Sequence, residues 1–73
     1  MSKVVANVDV RDMLCAQALA QIARALGALE VGQRVRVRFN AEDVKRDIVS
    51  WVTARGHIME SEGTEALWIE RRR

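Results

Sequence analysis

The chain has 73 residues, of which 49% are hydrophobic and 30% charged, and its formal charge is +2. Such a balance describes one folded domain over residues 1–73 with a thin core, and argues against disorder or a deeply enclosed cofactor. One cysteine and one histidine exclude an internal disulfide and, by themselves, a zinc site, so no metal or cofactor is expected.

After Met1-Ser2-Lys3 the chain runs at once into VVANVDV. Asn7 and Asp9 interrupt this run, which is too short for a signal core or a membrane span; a reducing cytoplasm is the expected compartment. Its alternation sets Val4, Ala6, Val8 and Val10 on one side and predicts a half-buried strand. Cys15, Leu19, Ile22, Leu26 and Leu29 then recur at helical steps with alanines between them, which predicts an amphipathic helix. Gly32 marks the turn out of it.

From Gln33 to Phe39, Val35, Val37 and Phe39 alternate with Arg34, Arg36 and Arg38, a clear strand pattern. A second helix follows, with Asn40 as its expected N-cap, Asp43 in an acidic first turn and a buried stripe of Val44, Ile48 and Val52. Trp51 is expected at the core edge, and Arg55-Gly56 is a good helix ending. His57 to Ser61 and Ala66 to Arg71 predict two more strands, joined by the hairpin connection EGTE with Gly63. The order is βαβαββ. It implies an α+β fold, a two-layer sandwich with both helices on one face of a four-stranded mixed sheet. Val8, Val10, Val35, Val37, Phe39, Leu67 and Ile69 would point inward.

On the uncovered face, Arg34, Arg36 and Arg38 would lie near Trp68 and Glu70, where guanidinium groups can stack on the indole. Such a surface either solubilises the open sheet or docks an acidic partner, a second copy or single-stranded RNA. Arg71 to Arg73 read as a solvated basic end or as an electrostatic handle. The single histidine, His57, follows a helix-ending glycine, a setting that suits a structural or exposed role.

The stretches VDVRDMLC and KRDIVSWVTARGH together resemble the TusA/SirA family of small sulfur-carrier proteins. The family has this element order and length, an Asp six residues before a cysteine at the start of the first helix, and an Arg-Asp-Ile run in the second helix followed by a Gly-His pair. Asp9, Cys15, Arg46, Asp47, Ile48, Gly56 and His57 stand in those places. Two departures are plain: the family's Cys-Pro-x-Pro is Cys15-Ala16-Gln17-Ala18, and the glycine usual three residues before the cysteine is Asp12.

The resemblance implies a carrier in which Cys15 accepts persulfide sulfur from a donor protein of cysteine desulfurase or rhodanese type and passes it to an acceptor protein. Arg11, Asp12, Arg46 and Asp47 are the accompanying candidate binding residues, with Arg46 and Asp47 also readable as a solvated helix face. Only a thiolate attacks sulfur, and a helix N-terminus favours one. Arg11 would assist and Asp12 oppose, leaving the helix end to decide. Two starts are open for that helix: at Cys15, or a turn earlier with Asp12 as N-cap and Met13 and Leu14 helical. The absence of a resolving thiol rules out a dithiol oxidoreductase, whereas a lone thiol fits single-site relay or a packed, inert residue. The alternative is a non-catalytic module on the same scaffold, binding protein, or nucleic acid through Arg34, Arg36 and Arg38. No membrane partner is expected.

Overall fold

The computed structural model describes residues 4–73. Its elements are β1 (Val4–Asp9), α1 (Cys15–Gly27), β2 (Arg34–Arg38), α2 (Glu42–Ala54), β3 (Ile58–Glu62) and β4 (Ala66–Glu70). In β2 the two-residue period buries Val35 and Val37 on one face and projects three arginines from the other. The strand order is β1-β2-β4-β3. β1 runs parallel to β2, while β4 is antiparallel to both β2 and β3. This is the mixed sheet that the element order implies.

Both helices close one face of that sheet. Ala18, Ile22 and Leu26 from α1 and Val44, Ile48 and Val52 from α2 pack on Val10, Val35, Val37, Phe39, Leu67 and Ile69. Removing one large side chain from such a core typically costs about 2–5 kcal/mol. Leu29 is also buried, although α1 ends at Gly27 and delivers it from the following turn. Gly32 turns that segment into β2 with φ +94° and donates its N–H to the Arg71 carbonyl at 2.7 Å.

Val4 departs from the expected inward row and is 44% exposed. The pairing of β1 with β2 shifts between Val4 and Ala6, and this irregularity breaks the two-residue phase. Asn40 does not cap α2: the N-cap is Ala41, without a side-chain hydrogen bond. The end of α2 follows expectation. Gly56 takes φ +79°, its N–H reaches the Thr53 carbonyl at 3.1 Å, and the His57 N–H reaches the Val52 carbonyl at 3.2 Å. These two bonds form a Schellman motif.

The uncovered sheet face is neutralised from within. The Arg34 guanidinium lies 3.8 Å from the Trp68 ring centroid, and its Nε donates to Glu70 at 3.1 Å. Arg72 also donates to the buried Glu70, at 2.7 Å, and Arg36 pairs with Glu62 at 3.6 Å.

Candidate functional site

The site grows from the connection between β1 and α1. Val10 donates to the Arg38 carbonyl at 2.9 Å, and its own carbonyl accepts from Met13 at 3.3 Å, closing a turn across Arg11 and Asp12. Asp12 occupies the left-handed region at φ +63°. Glycine suits that conformation best, and Asp is among the few other residues that adopt it. Asn40 locks it there: the Asp12 N–H donates to Asn40 Oδ1 at 3.0 Å, and Asn40 Nδ2 donates to Asp12 Oδ1 at 2.8 Å.

That corner settles where α1 begins. Leu14 is extended (φ −70°, ψ 155°) and serves as the N-cap, so Cys15 is the first helical residue. The earlier start capped by Asp12 does not occur, because a left-handed Asp12 tied to Asn40 cannot cap a helix. Gln17 reaches back to accept the Leu14 N–H at 3.2 Å, but the Leu14 side chain offers no acceptor in return. The first-turn N–H groups of α1 therefore have no side-chain cap and face the region of the thiol. No acidic residue lies in that first turn. Leu14 itself stands 74% exposed beside the half-buried cysteine.

Helix geometry alone would lower the thiol's pKa, yet here it is raised. The leading cause is the nearby Asp47 carboxylate, which favours the protonated thiol. Burial follows, then the negative fields of Asp47 and Asp43, against a lowering by the cysteine's own N–H. The expected balance between Arg11 and Asp12 does not operate. Arg11 instead grips Asp9, with Nε 3.0 Å from Oδ1 and Nη2 2.7 Å from Oδ2, and holds that carboxyl at about 2. Asp12 faces Asn40. The groups that govern Cys15 sit on the neighbouring helix.

Of the candidate residues, the structure thus brings Cys15 and Asp47 together and leaves the others apart. Arg46 lies on the outer side of α2, where Glu42, Lys45, Arg46, Val49 and Ser50 line a shallow depression of about 410 Å³. His57 sits at the far end of the helices, near Leu26 and Arg55. A 13-residue helix spans roughly 20 Å, which separates His57 from the thiol. Sequence reasoning did not find the exposed Leu14 or the role of Asp47. The signals were Leu14 lying off the Cys15-Leu19-Ile22 stripe, and Asp43 and Asp47 sharing a helix face at a four-residue step.

A family model described as sulfurtransferase TusA matches residues 6–71, from β1 through β4 and across the whole cysteine turn. The chain belongs to the TusA family. No curated protein and no solved structure matched it. TusA-family membership carries with it a sulfur-carrier role and contact with sulfur donor and acceptor proteins. Among the described residues of this TusA-family chain, no helix is long and apolar enough to cross a membrane. Nor do three His, Cys, Asp or Glu side chains gather closely enough to hold a metal ion.

Proposed function

We propose that this TusA-family protein relays one sulfur atom on Cys15 between protein partners. Cys15 gives up its proton to solvent, and the thiolate attacks the outer sulfur of a donor persulfide. A new S–S bond forms at Cys15, the donor's S–S bond breaks, and the donor leaves as a thiolate. An acceptor thiolate then attacks the outer sulfur, and Cys15 departs as a thiolate that regains its proton. No external oxidant or reductant enters either step.

The observation that carries this reading is the placement of the one thiol at the first residue of an uncapped helix, half-buried beside a projecting leucine. The missing prolines do not dislodge it, since α1 begins at Cys15 regardless. Ala16 even supplies an N–H that proline would lack. Asp47 keeps the resting thiol protonated, which protects it from oxidation between transfers. The outer sulfur of a persulfide extends about 2 Å further and leaves that carboxylate's immediate reach. Asp47 beside the thiol, and Arg11, Asp12 and Arg46 further out, are the residues offered to a partner, and a reducing cytoplasm is the compartment that keeps such a thiol free.

The interaction-module reading draws less support, because Arg34 and Arg36 are already paired with Glu70 and Glu62. Incubation with a cysteine desulfurase and cysteine, followed by mass spectrometry, tests the relay. Gain of one sulfur at Cys15, absent in Cys15→Ser, is the expected result. An unshifted mass during desulfurase turnover overturns it.

A further inference from the structure

The opposite end of the helices carries a second and differently charged surface. There the carboxyl ends of α1 and α2 lie together, and two adjoining lobes of about 560 and 230 Å³ open between them. Trp51, Arg55, His57 and Arg73 line both lobes, and Arg71 lines the smaller. Each group is held by a definite contact. Arg71 Nη1 donates to the carbonyls of Leu26, at 3.2 Å, and Leu29, and its Nε donates to the Arg73 carbonyl at 2.7 Å. The Arg55 guanidinium lies 4.7 Å from the Trp51 ring centroid. Arg73 rests against Gly56, where an added Cβ would come within 3.1 Å of its Nε. His57 Nδ1 accepts the Arg72 N–H at 3.1 Å, which makes Nε2 the hydrogen-bearing nitrogen of the neutral ring.

What distinguishes this cluster is that no Asp or Glu side chain is among the residues lining it. Elsewhere among the described residues Arg11, Arg34, Arg36 and Arg72 each pair with a carboxylate. None of those pairs involves Arg55, Arg71 or Arg73. Helix carbonyls offset part of the charge on Arg71. Arg55 lies against the indole, and Arg73 against the Gly56 backbone. The positive field they create is felt by His57, whose pKa is lowered first by burial and then by Arg71, Arg55 and Arg73.

We propose that this cleft binds a phosphate monoester group, held by Arg55, Arg73 and His57 Nε2 with Trp51 as its apolar wall. Guanidinium forks match phosphate oxygens in pairs, and a monoester near −2 answers several converging cations better than a single carboxylate does. Both lobes fall at or near the size range of small-ligand clefts. The site lies roughly 20 Å from Cys15 and does not depend on the sulfur chemistry.

The test follows the His57 imidazole and Trp51 indole signals of the full chain by NMR. Inorganic phosphate, adenosine monophosphate and chloride are each added at matched ionic strength. Saturable shifts with phosphate and the nucleotide, but not chloride, are expected, while Trp68 on the far sheet face stays still. Binding should raise the pH at which His57 titrates, because the bound anion offsets Arg55, Arg71 and Arg73. Arg55→Gln and Arg73→Gln should each weaken it by about tenfold or more. Equal affinity for phosphate and nucleotide identifies the phosphate group alone as the determinant; tighter nucleotide binding adds the ring. Shifts that never saturate, that chloride reproduces, or that survive both substitutions overturn the proposal.

Discussion

The two ends of the helix pair are dressed with opposite charge. At the amino ends stand Glu42 and Asp43, with Asp47 one turn further on; at the carboxyl ends stand Arg55, Arg71 and Arg73. The helices run side by side in one direction, so their dipoles add, and each end carries the charge that opposes its dipole. The same rule has different consequences at the two ends. At the amino end the acids of α2 lie beside a thiol on α1 and hold its proton in place. At the carboxyl end the cations outnumber what the helix carbonyls absorb and face an open cleft. A helix dipole therefore does not decide the state of a nucleophile when a neighbouring helix supplies the local charge.

Gly56→Ala is the largest perturbation of that contrast. It forces a Cβ into a left-handed position and against Arg73, and should cost about 1–2 kcal/mol in urea denaturation. Arg73 must shift, so the basic cleft should change while the alkylation rate of Cys15 does not. A changed alkylation rate would show the two ends to be coupled.

Asp47→Asn acts at the other end and on chemistry more than on stability. Replacing the carboxylate by a neutral amide removes the negative charge that favours the thiol over the thiolate. The pH–rate profile for iodoacetamide should move to lower pH, with the rate at neutrality rising several-fold. Asp43→Asn should move it in the same direction and less, since only its field acts. An unmoved profile in Asp47→Asn would return control of Cys15 to its own helix.

These residues also show where the sequence is legible. The strands could be read because Val35 and Val37 are buried by a local two-residue period, and the end of α2 because Gly56 acts within six residues of the carbonyls it caps. Cys15 could be placed at a helix start for the same local reason. Asn40, read as a cap, instead bonds Asp12 across 28 positions. Asp47, read as a binding or solvated residue, meets a thiol 32 positions away because the helices pack in parallel. Propensity and periodicity describe neighbours along the chain; which charge faces which nucleophile is decided by packing.

Asp12→Gly probes the smallest effect, at the turn that aims the thiol. Glycine relieves a left-handed residue, a gain of about 1 kcal/mol. It keeps the N–H that Asn40 Oδ1 accepts and loses only the bond from Asn40 Nδ2, an exposed contact of about 0.5–1 kcal/mol. The two contributions oppose each other, so stability in urea should change by less than about 0.5 kcal/mol. Asp12→Ala loses that bond without relieving the backbone and should fall by about 1 kcal/mol. A glycine variant as damaged as the alanine one would mean that the side-chain bond to Asn40, and not the backbone angle, fixes where α1 begins. The position of Cys15 would then rest on a polar pair that takes the place of the family's usual glycine.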